Sequence, residues 1–229
     1  MPHTVFLTKY PVHEALMVNH PGKPQQGWDI NSPVFRHRAV MHLFPELALD
    51  NPRASSNILF RLDTTAGSAP YFLIQSDIAP EEGHPVETKN IELASPPKGT
   101  HISFRLSINA VRRKKREEGS NRKRGLGITQ VPFDGDTEAD EHLPRMSEWL
   151  AGKLSPALSE VTILNHQRQA LGSNRSGRAH NSPFVVQVDT VDGFACVEDP
   201  ALLEELLLKG IGRAKSYGCG LLSIRPLTS

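Results

Sequence analysis

The sequence predicts an α+β protein made of two consecutive units with the element order β-α-β-β-α-β. Three observations carry that reading. His101–Ile108 alternates with period two and puts Ile102, Phe104, Leu106 and Ile108 on one face. Leu202, Leu203, Leu206 and Leu207 form a single stripe at helical spacing behind an Asp199-Pro200 start. The third is order: short β-rich runs and helix starts follow one another in the same sequence through both halves of the 229 residues.

In the first half, residues 5–8 read as a strand, and residues 11–30, with Pro11, Pro21, Gly22, Pro24 and Gly27, as a loop. Ser32-Pro33 opens a helix to about residue 46, with Ser as N-cap and Pro at the first helical position. Residues 58–62 and 71–75 are two strands around a Thr-Thr-Ala-Gly-Ser turn region. Residues 77–99 are acidic and Pro-rich with weak helical potential, and His101–Ile108 closes the unit.

Residues 112–124 are expected to be a mobile basic loop, followed by a strand near 127–131. Residues 141–153 are expected to be a helix with Leu143, Met146, Trp149 and Leu150 inward. Residues 161–164 and 184–188 read as strands around a segment rich in Arg, Asn, Gly and Ser. A turn at Asp192-Gly193 leads to a further strand over 194–197. The leucine helix then ends at Gly210, where a C-terminal glycine belongs, and 221–224 is the last strand. Two such units predict tandem ferredoxin-like (RRM-like) βαββαβ domains: 1–111, a basic linker over 112–126, and 127–229.

Composition is that of an ordinary globular chain, with 38% apolar and 22% charged residues. The net charge of +1 hides strong clustering: eight Lys/Arg against two Glu lie between Arg112 and Arg124. Cys196 and Cys219 make neither a disulfide framework nor a zinc site, so a reduced, cytoplasmic compartment is expected. No signal peptide or membrane-spanning run is expected. The histidines form no HxxxH or HExxH pair, so neither a metal site nor a cofactor is expected.

The segment from Lys209 to Ile224 is the most distinctive. Gly210, Gly212, Gly218 and Gly220 fall within twelve residues of Lys209, together with Arg213, Lys215 and Tyr217. Glycines allow close backbone approach and cations among them suit a phosphate chain. A dinucleotide fingerprint or a P-loop would leave a strand and enter a helix. This loop leaves a helix, and Lys215 stands where the fingerprint needs a third glycine.

The spacing Gly210, Gly212, Lys215, Gly218, Gly220 followed by Leu221-Leu222 resembles the glycine-rich loop of CRISPR repeat-processing endoribonucleases. More narrowly, it resembles the CasE branch, the subunit that produces crRNA in the type I-E Cascade complex. The resemblance implies tandem ferredoxin-like domains and a protein that binds a CRISPR repeat stem-loop. It also implies cleavage by 2′-OH attack without a metal, and retention of the product beside other Cascade subunits. A non-catalytic RNA-binding subunit of the same fold is the alternative.

The family carries a His near the start of the first helix, and His37 takes that position. The family's Tyr, three residues earlier, is replaced here by Val34, which leaves the second proton-handling group open. A neutral imidazole near pH 7 suits a proton acceptor or donor. Arg38 or a loop lysine would face the phosphorane charge. On pattern alone, Val34, Val40, Met41 and Phe44 cluster on one side and His37 points between them. His42, near Arg38, is the second candidate histidine.

The expected RNA-contacting residues are Lys209, Gly210, Gly212, Arg213, Lys215, Gly218 and Gly220 of the loop. To these are added Arg112, Arg113, Lys114, Lys115, Arg116, Arg122, Lys123 and Arg124 of the basic stretch, and Arg168, Arg175 and Arg178 of the later basic segment. A-form RNA hides its base edges in a deep major groove, so phosphates and shape should dominate recognition.

Overall fold

The computed structural model describes residues 3–19, 23, 27–45, 52–65, 67–113, 128–172 and 185–227. Two four-stranded sheets organise the chain, and every strand pair is antiparallel. The first contains β1 (His3–Pro11), β2 (Leu59–Asp63), β3 (Tyr71–Ser76) and β4 (Glu87–Leu93), in the spatial order β2-β3-β1-β4. Between β1 and β2 run α1 (Val12–Met17), α2 (Pro33–Met41) and the single turn α3 (Pro52–Ser55).

The second sheet is built on β5 (His101–Ile108). A short ribbon of β6 (Val111–Arg113) and β7 (Ile128–Gln130) follows, then α4 (Met146–Leu154), β8 (Leu158–Leu171) and β9 (Val186–Val197). After α5 (Pro200–Lys209) comes β10 (Leu222–Pro226), and the spatial order is β10-β5-β9-β8. Counted within its own sheet, each order is fourth-first-third-second.

Several expectations are corrected. β5 pairs with β9 and β10, so it opens the second sheet instead of closing the first. The fourth strand of the first sheet is β4, inside the segment read as weakly helical. Its side chains are mostly exposed, so no apolar alternation marks it, and an edge strand keeps charged groups for that reason. β9 runs straight through Asp192-Gly193 without a turn. Gly193 is there because a Cβ would lie 2.3 Å from the Thr162 carbonyl oxygen and 2.7 Å from the Phe104 ring. β8 continues to Leu171, well into the segment expected to be a loop, and α1 occupies part of the expected 11–30 loop. Residues 111–113 and 128–130 form a ribbon, so the basic stretch starts at a strand end.

Each sheet has its own core. Phe35, Val40 and Leu43 pack on Tyr10, Phe60, Phe72 and Ile74 of the first. The predicted face of β5 is fully buried in the second, against Leu150, Leu154, Leu203 and Leu207. Full burial of each such aliphatic side chain contributes about 1.5–3 kcal/mol. Asp199 caps α5 by accepting from the Ala201 and Leu202 amides, as its sequence predicted. No helix among the described residues is long and apolar enough to cross a membrane.

The two sheets are joined by polar contacts. Gln75 of β3 donates to the Leu207 carbonyl at 2.9 Å, and Arg61 of β2 donates to Ser223 Oγ at 2.6 Å. Arg61 is itself paired with buried Asp63 at 2.8 Å.

Candidate active site

α2 begins where its sequence said it would. Ser32 Oγ accepts from the Phe35 amide at 3.3 Å, and Pro33 occupies the first turn. The buried face is Pro33, Phe35, Arg36, Ala39 and Val40, whereas Val34 is 45% exposed. The buried face is therefore rotated from the expected one, toward Phe35 and Arg36. Arg36 is only 2% exposed. It donates from Nε to the Ile30 carbonyl (2.9 Å) and from Nη2 to Gln169 Oε1 of β8 (3.0 Å). Gln169 returns a bond to Asn31 Oδ1 at 2.7 Å, and the Gly172 amide reaches the Asn31 carbonyl. α2 thus belongs to the first core but is tied to the second sheet.

The glycine loop folds back over the same helix. Gly210 caps α5 with φ +69°; a Cβ there would lie 2.7 Å from Leu59 Cδ2 and 2.8 Å from the Gly220 carbonyl. The Ile211 amide donates to that carbonyl, and the Gly220 amide donates to Ser107 of β5. Residues Lys215–Tyr217 make one 3-10 turn packed against α2. Lys215 Nζ donates to the Lys209 carbonyl at 2.6 Å and braces the loop on α5, while Lys209 pairs with Glu205 at 2.8 Å. Arg213 and Gly212 are exposed.

These elements converge on His37. Its ring is half-buried, edge-on to Tyr217, with centroids 6.3 Å apart and planes at 66°. Nδ1 is buried and makes no hydrogen bond among the described residues. Burial pushes the His37 pKa below 6.5; the Ser216 backbone opposes this, and the nearby charges of Arg53 and Arg38 reinforce it. A ring in that environment is neutral at pH 7 and able to accept a proton.

Arg53 of α3 was missed by the sequence reading. It donates to the Ile58 carbonyl at 3.1 Å, and its charge also lowers the Lys215 pKa, which burial lowers first. Nothing local in the sequence marks it, because it reaches the site through chain reversal between α2 and β2. Arg38 is exposed, with its guanidinium 6.0 Å from the Trp28 ring. His42 is exposed and its ring lies 5.2 Å from that of His84. Among the described residues no group of three His, Cys, Asp or Glu could hold a metal ion.

With that geometry in view, residues 12–226 match the family of the CRISPR associated protein. The chain belongs to that family. It is 28% identical over 203 residues to the CRISPR system Cascade subunit CasE of Escherichia coli strain K12, covering 83% of this chain and 90% of that protein. The structure of the CRISPR endoribonuclease Cse3 bound to a 19-nucleotide RNA matches with TM-score 0.64 at 25% identity, over 97% of this chain and 100% of that one. Cas6e from Escherichia coli K-12 shares the fold, with TM-score 0.61 at 23% identity and the same coverage. The CasE assignment made on the glycine loop stands.

The remaining sites of this CasE-family chain divide sharply. Arg168, expected to meet RNA, is occupied inside the protein: Nε bonds to buried Asp189 at 2.7 Å, Nη2 to the Val131 carbonyl at 2.6 Å, and the guanidinium lies 4.3 Å from the Phe133 ring centre. Burial alone would raise the Asp189 carboxyl, but hydrogen bonds from His166, Gln187 and Arg168 outweigh it and hold its pKa low. Arg168 therefore anchors the root of the β6–β7 ribbon. Arg112 is on that ribbon, half-buried, and Arg113 ends β6. Lys114, Lys115, Arg116, Arg122, Lys123, Arg124, Arg175 and Arg178 lie outside the described residues.

Proposed function

We propose that this chain is an endoribonuclease that binds the stem-loop of a CRISPR repeat transcript, cuts it, and remains on the product as a Cascade subunit. The observation that carries the reading is the seating of His37 under the glycine loop, in a chain that belongs to the CRISPR-associated family. A relative at 28% identity is a Cascade subunit, and a solved structure at 25% is a CRISPR endoribonuclease bound to RNA. The two identical strand orders support tandem ferredoxin-like domains, with the division at 94–100 between β4 and β5.

The chemistry is transfer within the RNA, without a metal. Neutral His37 takes the proton of a ribose 2′-OH. The 2′-oxygen bonds to the adjacent phosphorus as the bond to the 5′-oxygen breaks, and that oxygen takes a proton from solvent water. The products are a 2′,3′-cyclic phosphate and a 5′-OH. Arg38, Arg53 and Lys215 supply positive charge for the phosphorane. Lys209, Arg213 and the glycines hold the backbone, and the basic stretch 112–124 follows the stem.

The test is repeat RNA incubated in EDTA beside a copy carrying one 2′-deoxy nucleotide at the cut. Cleavage of the first only, with a cyclic-phosphate end, is expected. His37→Ala should lower the rate by about 10²–10⁴ with RNA affinity kept. Tight binding with no cut of either RNA leaves the non-catalytic subunit as the function.

A further inference from the structure

A histidine base is ordinarily oriented by a hydrogen bond at its second ring nitrogen. For His37 the Ser216 backbone, on the 3-10 turn of the glycine loop, supplies one such bond, while Nδ1 is buried with no hydrogen bond among the described residues. One bond leaves the ring free to turn about it, so packing must complete its orientation. The ring that packs against it belongs to Tyr217, on the 3-10 turn of the glycine loop. A centroid distance of 6.3 Å at 66° is an edge-to-face contact, in the range where aromatic pairs attract.

Tyr217 is itself held. Its amide donates to the Ala214 carbonyl at 2.9 Å, and its ring packs on the cluster of Leu171, Val186, Val188 and Cys219. Gly218, next in the chain, has φ +93° and sits against Phe60 of the first sheet. The tyrosine is thus a rigid wall between the second sheet and α2.

We propose that Tyr217 is a positioning residue that orients and shields the His37 imidazole, so that the loop holding the RNA also aims the group that cuts it. This rests on the reading that His37 moves the proton. The charged groups facing His37 are Arg38 from its own helix and Arg53 from α3, and Lys215, beside Tyr217 on the same turn, faces Arg53. With those left in place, removing the tyrosine ring opens His37 to water and raises its pKa toward 6.5.

Tyr217→Ala and Tyr217→Leu, the second keeping most of the volume, should each lower single-turnover cleavage by about 10–100-fold, the scale of a base displaced by about 1 Å. RNA affinity should change by less than about threefold, a difference too small to explain the rate. Tyr217→Phe should cut at nearly the wild-type rate, because the ring and not the hydroxyl does the positioning. In the free protein, NMR titration of the His37 ring should show a higher pKa in the Ala and Leu variants and an unchanged one in the Phe variant. The titration does not need activity, so it decides the proposal even if the wild-type chain cuts nothing. An unmoved His37 titration in both the Ala and Leu variants overturns it, and so does a Phe variant as slow as the Ala variant.

Discussion

Arg36 on α2 donates to Gln169 on β8 across 3.0 Å, a bond that ties the helix carrying His37 to the second sheet. Burial lowers the Arg36 pKa to about 10, so the guanidinium stays charged through the neutral range. Arg36→Met keeps much of the apolar stem but orphans the Ile30 carbonyl and Gln169 Oε1. Gln169 is exposed and Ile30 only partly buried, so the loss is that of hydrogen bonds to a charged group, about 1.5–3 kcal/mol each. Urea unfolding should show a lower midpoint with an unchanged slope, and cleavage should fall with it as α2 loses its register on β8. An unchanged midpoint would mean that the Arg36 bonds add nothing to the Gln75–Leu207 and Arg61–Ser223 contacts.

The pH dependence follows from the environment of His37. Burial and the charges of Arg53 and Arg38 favour the neutral ring, so its pKa lies below 6.5. A base must be unprotonated to act. As pH rises, kcat/KM should therefore climb through a midpoint below 6.5 and be flat by pH 7. Arg53→Gln removes one repelling charge and should move that midpoint upward. A wild-type midpoint at or above 6.5 would show that His37 does not act as the base in the free enzyme.

Gly210 gives a prediction opposite in kind to His37. Gly210→Val places a branched side chain at φ +69°, within 2.7 Å of Leu59 and 2.8 Å of the Gly220 carbonyl. A side chain at φ +69°, ψ 169°, a region essentially reserved for glycine, costs about 1–3 kcal/mol, and the contact displaces the loop. RNA binding and cleavage should both drop, with a lower Tm. Gly152→Ala in α4, where a Cβ would meet nothing within 4 Å, is the control and should leave all three near wild type.

What the sequence showed and what it hid have physical reasons. The β5 face, the α5 stripe with its Asp199 cap, and the glycine loop were legible because burial period, capping and positive φ are local. β4 was hidden because its outward side chains carry no alternation, and β5 was misassigned because pairing is non-local. His37 was found through resemblance, since its own helix pattern pointed to a face different from the buried one. Arg53 and Tyr217 reach His37 from elements far along the chain, and no spacing rule joins them. Arg168 looked like a free cation only because its partner Asp189 lies on the next strand.

The basic stretch is tested by salt. Arg112 and Arg113 lie on β6, whose open end leads into residues 114–127, and Arg168 fixes the root of that ribbon through the Val131 carbonyl. Cations carried there should meet the phosphates of a stem lying across the molecule. Each phosphate neutralised contributes about 0.9 to the slope of log affinity against log salt for a duplex. Replacing the eight Lys/Arg between Arg112 and Arg124 by Ser should reduce that slope by about 2 or more and weaken binding most at low salt. Arg168→Met should reduce the slope less and lower Tm instead, because its charge faces Asp189 and not solvent. Filter binding of the repeat stem-loop over a salt series, with melting curves of both variants, measures the two effects. An unchanged slope in the Ser variant would remove the stretch from the RNA interface.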